Sequence, residues 1–295
     1  MMKKPAIRFG CAAMAALLLF GSTVAAEPAG SADPSTYYEY KQTYKDAARP
    51  DEEIVVRGSE YTDTNDKALK VLPELEGVKD VLATGSEGFV EWEFDVRQAG
   101  LYHIALRYCP LEGKGNAIER NVLVNGEVPY DDLYAVSLNR VYTAAEKERQ
   151  RDEMGNELRP VQIEAPRFET VTLSGSLFNV SEPLAVYLKE GKNTLRLEAV
   201  REPMALDSIR FYQKKDEASY AQVSKGYTAG KAAETIHIEG EDAAFTSDKT
   251  LYATSDNSSP LNSPVSGSQI RMNMMGGINW RSPRQYIEWA FHVPE

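Results

Sequence analysis

The chain has 295 residues, of which 26% are charged, and a formal net charge of −11. So acidic a balance excludes the counterion-release term that draws proteins onto nucleic acid. Two cysteines are too few for a disulfide framework, and the length allows one large domain or two smaller ones.

The first residues carry the marks of an export signal. Lys3, Lys4 and Arg8 form a basic start, Phe9 to Val24 is apolar, and Val24-Ala25-Ala26 places small residues where a signal peptidase cuts, so residues 1–26 are expected to be removed. Cys11 precedes most of the apolar run, which argues against a lipid anchor, and the run is shorter than the roughly 20 residues of a spanning helix. Removal of three cations takes the net charge to about −14. Cys109 is then alone, and its place after an apolar strand predicts a small buried hydrophobe.

Residues 27–52 read as a leader, first rich in Pro, Gly, Ser and Ala and then in tyrosine. Tyr37, Tyr40 and Tyr44 recur at helical spacing, which predicts a short helix packed against the first module. From residue 53 the period becomes two. In VEWEFDV, Val90, Trp92, Phe94 and Val96 share one face, with Glu91, Glu93 and Asp95 on the other. LYHIALRY follows after Ala99-Gly100, and Asn125-Gly126 is a hairpin turn pair. FETVTL, LAVYLKEGKNTLRLEAV and ALDSIRFY add further strands, two of them joined through Glu190-Gly191-Lys192-Asn193. Short strands with turn signals between them predict an all-β antiparallel sandwich over 53–213.

The chain then starts again. IHIEGED at Ile236–Asp242 repeats IVVRGSE at Ile54–Glu60, and IEWAFHV at Ile287–Val293 repeats VEWEFDV. A linker over 214–234 separates the copies. The second, 235–295, is expected to be the partial start of another sandwich, with too few strands to close a two-sheet core. Trp92 and Trp289 are expected in the core of their copies, and the chain is expected to be the front of something longer.

The opening IEGEDA, the WxF strand with its Ala-Gly-Leu-Tyr turn, VYLKEGKNTLRL and the closing LDSIRFY together resemble carbohydrate-binding modules of families 6 and 35. The resemblance covers Glu53–Tyr212 in full and Thr235–Glu295 in part, and implies a jelly-roll β-sandwich that binds sugars through its loops. More narrowly, KDAARPDEEIVV, GNELRPVQIEAPRFETV and REPMALDSIRFYQ resemble the front portion of large extracellular solute-binding proteins of bacterial carbohydrate importers. That resemblance implies an ABC permease as partner, through a domain beyond this chain.

Catalysis finds no footing in the pattern. His103, His237 and His292 lie outside metal-ligand spacing of one another or of a cysteine, the GSEG around Ser86 lacks the strand-turn-helix of a nucleophile elbow, and GKGNAI from Gly113 lacks a dinucleotide loop's third glycine. Binding has a candidate in the roughly forty residues between Asn125-Gly126 and Phe168, longer than an ordinary connection. They hold Tyr130, Tyr134, Asn139, Arg140, Tyr142, Asn156 and Arg159. Aromatic faces pack on sugar C–H surfaces, and Arg or Asn supply hydrogen bonds to hydroxyls. The alternative is that these tyrosines cover the sheet while AAEKERQRDEMGN makes a solvated helical turn. Trp280, on the glycine-flanked loop GGINWRSP, is the candidate platform of the second copy.

The family resemblance also implies calcium, held by two carboxylates of the opening strand and an Asp of the closing strand. Copy two keeps the pair as Glu239 and Glu241, its metal candidates in a complete module. Copy one has Arg57 and Ser59 there, so no cofactor is expected in it, and Arg57 is expected to reach Asp207 in the cation's place. The leading reading is non-catalytic carbohydrate binding at the front of an importer's solute-binding protein, with oligosaccharide or polysaccharide as ligand. A module appended to a secreted glycoside hydrolase or polysaccharide lyase, and a structural spacer, are the alternatives.

Overall fold

The computed structural model describes residues 35–175, 182–215, 217–227, 235–263 and 267–293. The export signal expected at 1–26 lies outside the described residues, as do residues 27–34 of the leader and residues 216 and 228–234 of the linker.

A short helix, α1 (Tyr37–Thr43), opens the described chain, capped by Thr36 and Glu39 in a reciprocal capping box. Its tyrosine stripe packs as the spacing predicts: the rings of Tyr37 and Tyr40 lie 4.8 and 4.9 Å from that of Tyr130, and Tyr44 stacks on Tyr187 at 4.5 Å.

Among the described residues, fourteen strands make up copy one and its surroundings. They are β1 (Ile54–Arg57), β2 (Asp63–Thr64), β3 (Lys70–Leu75), β4 (Val78–Thr84), β5 (Phe89–Val96), β6 (Gly100–Pro110) and β7 (Ile118–Val124). After them come β8 (Val136–Leu138), β9 (Tyr142–Ala144), β10 (Gln162–Glu164), β11 (Glu169–Thr172), β12 (Ala185–Leu188), β13 (Gly191–Arg201) and β14 (Met204–Tyr212). One antiparallel sheet runs β11-β6-β14-β4-β3, with β1 added on β14 and β12 on β6; the facing sheet runs β2-β5-β13-β7-β8. The two make an antiparallel β-sandwich. Period-two burial puts Val90, Trp92, Phe94 and Val96 inside, Phe94 stacks on Phe211 across the core at 4.3 Å, and Trp92 donates its indole N–H to Gly58 O at 2.9 Å. Every residue of this core cluster lies between Tyr37 and Phe211.

Asn125 and Gly126 both adopt positive φ, 53° and 87°, the backbone of a tight two-residue hairpin. The second expected connection is different. β12 and β13 belong to opposite sheets, so Glu190-Gly191 is a corner that carries the chain across the sandwich. Asn193 fixes that corner by accepting from Lys189 N at 3.1 Å and donating to Lys189 O at 2.7 Å and Gly191 O at 3.0 Å. The helical turn weighed for AAEKERQRDEMGN is absent: the segment closes through a bridge of Arg151 with Glu157, and the Asp152 carboxylate accepts from Met154 N and Asn156 N. An aspartate so placed offers the backbone an alternative to helix.

Copy two adds β15 (Phe245–Thr246), β16 (Ala253–Thr254), β17 (Met274–Met275) and β18 (Ile287–Glu288). Of these, β15 and β18 reproduce the pairing of β2 with β5 in copy one. β15 pairs with β18 as Phe245↔Glu288 and Thr246↔Ile287, the register in which β2 pairs with β5 as Asp63↔Glu91 and Thr64↔Val90. Ala244 N donates to Glu288 O at 2.8 Å as Thr62 N donates to Glu91 O at 2.8 Å. Trp289 donates to Gly240 O at 3.0 Å, the counterpart of Trp92 on Gly58. The sequence repeat is a structural repeat.

The copy is nonetheless partial among the described residues. IHIEGED forms no strand, because in copy one the matching β1 owes its ladder to β14 and copy two shows no counterpart of β14. Trp289 is only half-buried, against the expectation that it lies in a core, for the same reason. β15 pairs instead with β9, giving a four-stranded sheet β10-β9-β15-β18 shared by the start of copy two and the long excursion of copy one between Gly126 and Phe168.

Candidate functional site

The candidate residues of the excursion separate into buried and exposed. Tyr130 is 0% exposed; its hydroxyl donates to Ala185 O at 3.0 Å and α1 lies over its ring, so it presents no face to a sugar. Tyr142 is buried, its hydroxyl donating to Gly115 O at 3.3 Å. The guanidinium of Arg140 is sealed within copy one, donating to Asn116 O, Leu111 O, Glu164 and the buried Glu202 at 2.7 to 3.0 Å. These three are structural, a correction to their reading as ligand contacts. A buried guanidinium is retained only where carboxylates and carbonyls meet its donors, and here they do. Tyr134 remains at the surface, 46% exposed, at the end of a short 3-10 turn.

The polar members of the excursion face copy two. Asn139 donates to Arg284 O at 2.9 Å, Asn156 accepts from Ile270 N at 2.9 Å, and the Arg159 guanidinium lies 4.7 Å from the centre of the Tyr252 ring. Glu157 gathers Arg149, Arg151 and Arg271 within 3.8 Å and accepts from Met272 N at 2.8 Å. Arg167 binds Glu288, which holds the carboxyl of Glu288 below its ordinary value. The length of the excursion, read as a ligand loop, is therefore used to seat the second copy.

Arg57 reaches Asp207 at 2.9 Å, as its position opposite the closing strand predicts. The sequence did not point to Arg107, which takes the other carboxylate oxygen at 2.8 Å. Burial alone would raise the Asp207 carboxyl; hydrogen bonds from Arg107 and Ser208 and the charges of Arg107 and Arg57 hold it below its ordinary value. Glu239 and Glu241 do not share a ligand position. Glu239 meets His237 at 2.9 Å, while Glu241 turns to Arg149 at 3.4 Å, and among the described residues no cluster of three His, Cys, Asp or Glu stands within reach of one metal ion.

Trp280 is 50% exposed and follows the short 3-10 turn Gly277–Asn279, whose residues line a depression of about 570 Å³. Tyr252, Asp256, Ser258 and Asn279 supply its polar rim, with Met274, Gly276 and Ile278 as apolar lining. Gly276 and Gly277 adopt positive φ, 71° and 53°, which turns the chain sharply just before Trp280. An exposed flat ring next in the chain to a depression of hydroxyl, amide and carboxylate groups suits a ligand with apolar C–H faces and many hydroxyls. A second groove, of about 830 Å³, runs between the excursion and residues 241–245, but Arg149 is engaged there by Glu241 and Asp242.

No family model matches the chain, and no curated protein matches it. Solved structures do. A GH26-CBM35 β-(1,4)-mannanase of Podospora anserina aligns over 57% of this chain and 29% of its own, at 12% identity and a TM-score of 0.34. A family 35 carbohydrate binding module from Clostridium thermocellum aligns over 55% of this chain and 99% of its own, at 10% identity and 0.32. A CBM35 from Paenibacillus barcinonensis aligns over 55% and 99%, at 16% identity and 0.31. At these identities and scores the likeness is one of outline, and the functional reading rests on the residues.

Proposed function

We propose that the chain binds carbohydrate without transforming it, and that the surface around Trp280 makes the contact. The observation that carries this is the half-exposed Trp280, which follows in the chain a glycine turn whose residues line a depression of hydroxyl, amide, carboxylate and apolar groups. Tyr134 is a second exposed ring of copy one, and Tyr130, Arg140 and Tyr142 are not part of the contact surface. The ligand class is an oligosaccharide or polysaccharide.

We propose further that the chain is exported, and that it forms the front of an importer's solute-binding protein serving an ABC permease. Among the described residues no helix is long and apolar enough to cross a membrane. The phrase GNELRPVQIEAPRFETV, which carries the narrower resemblance, is the strip that seats copy two through Asn156, Glu157, Arg159 and Arg167.

Affinity electrophoresis of the full chain through gels containing soluble mannan, xylan, galactan or β-glucan tests the reading. At least one polysaccharide should retard the protein, and Trp280→Ala should weaken that retardation by about 1 kcal/mol, roughly fivefold, with the circular dichroism unchanged. Equal mobility in every gel would overturn carbohydrate binding. Deletion of the gene separates the settings: the importer reading requires loss of oligosaccharide uptake, and a module on a hydrolase or lyase requires loss of depolymerisation with uptake intact.

A further inference from the structure

Copy two exposes a set of apolar side chains that copy one buries. Ile236, Ile238, Phe291 and Val293 are 42%, 37%, 61% and 63% exposed, and Trp289 is half-buried. Their counterparts by the repeat are Val56, Phe94, Val96 and Trp92, buried in the core cluster, and Ile54, partly buried against it. Around Trp289, Phe291 and Val293 the β15–β18 register and the indole bond of Trp289 on Gly240 match those of copy one, whereas Ile236 and Ile238 lack the ladder that β1 has. The difference is what lies over them.

Copy one shows what that is. β13 pairs along β5, setting Asn193 opposite Phe94 and Leu195 opposite Trp92, while β14 pairs along β1, setting Phe211 opposite Ile54 and Ile209 opposite Val56. β13 and β14 lie in opposite sheets, so Gly191–Tyr212 is an arch that closes both at once. In copy two both matching edges are open. β18 has β15 as its one sheet neighbour among the described residues, and Ile236–Glu239 has none. Open edges beside exposed core positions are a template for added strands.

We propose that this face of copy two is a seat for a two-strand arch patterned like Gly191–Tyr212, one strand adding to β18 and the other lying along Ile236–Glu239. Charge sets a further requirement. In copy one Arg57 of β1 is answered by Asp207 of β14. The repeat puts Glu239 at the position of Arg57, so the arch that fits carries a basic residue where copy one has Asp207. An arch of this kind has no fold of its own and gains order on docking, which makes it a partner recognised by pattern rather than by a preformed surface.

The inference stands apart from the carbohydrate reading and is tested without a sugar. The full chain is extended after Glu295 by a flexible Gly-Ser linker of about ten residues and by the Gly191–Tyr212 sequence carrying Asp207→Arg in the added segment. Hydrogen exchange is then read at 287–293. The arch should slow exchange there at least about tenfold relative to the unextended chain. The same arch with Leu195→Asp and Leu197→Asp in the added segment should leave it unchanged, and the arch that keeps its aspartate should protect less. Protection of Val90–Val96 in every protein reports that copy one is folded. Unslowed exchange with the matched arch, while Val90–Val96 stays protected, would overturn the proposal, as would equal protection by the aspartate-substituted control. Equal protection by the two arches that differ only at the position of Asp207 would overturn the charge requirement.

Discussion

Asp207 shows how one carboxylate can hold a first strand to a last. It is nearly buried, and both oxygens are taken by guanidiniums, from Arg57 and Arg107, that are themselves partly exposed. Because its folded pKa is depressed from an ordinary 3.8, the unfolded chain takes up the proton first as pH falls. The stability it contributes is full above that ordinary value and is lost as pH drops through the folded one. Glu157 and Glu202, both lowered from 4.5, act in the same sense. Asp207→Asn should therefore cost about 1–3 kcal/mol at pH 7 and show a smaller further loss at pH 3 than the parent. Urea unfolding at the two pH values measures both. Equal costs at pH 7 and pH 3 would show that the charge of Asp207 is not what its partners need.

At the scale of elements, the sequence was legible where one periodicity meets one environment. Val90, Trp92, Phe94 and Val96 alternate because β5 has one wet face, and Asn125-Gly126 turns because both residues tolerate positive φ. It was misleading where turn chemistry serves another purpose. Glu190-Gly191-Lys192-Asn193 reads as a hairpin, yet Asn193 is buried at the corner between two sheets. Its side chain also accepts from Asn125 Nδ2 at 3.0 Å, tying the corner to the hairpin of β7. Asn193→Ala should cost about 2–3 kcal/mol, since it removes the buried amide that satisfies Lys189 N, Lys189 O and Gly191 O. Denaturant midpoints with an unchanged slope would register this; a loss under about 0.5 kcal/mol would mean that water replaces the amide. Tyr130, Arg140 and Tyr142 were misread for a related reason. A tyrosine in a long loop signals contact with something, and nothing in its neighbours says that α1, Ala185 or Gly115 is the partner.

At the scale of the whole molecule, the excursion of copy one makes the two copies one unit, and Glu157 is the group on which that unit turns. Its carboxylate accepts from Met272 N at 2.8 Å and lies 3.8, 3.2 and 3.7 Å from Arg149, Arg151 and Arg271. Glu157→Gln keeps the shape and can still accept from Met272, so it removes charge with little change in packing. Three guanidiniums then face one another with that negative charge gone. Arg149 keeps Glu241 and Asp242, and Arg271 keeps Gly155 O, so the strain falls hardest on Arg151. The expected result is a junction weakened by about 2 kcal/mol, with faster hydrogen exchange over 245–288 and none of that change in Val90–Val96. The repulsion acts between partly exposed charges, so added salt should screen it and restore part of the protection, whereas salt should do little for a junction held by packing alone. Exchange over 245–288 that is unchanged in the variant at low salt would show that strand pairing between β9 and β15, and not the charge of Glu157, holds copy two in place.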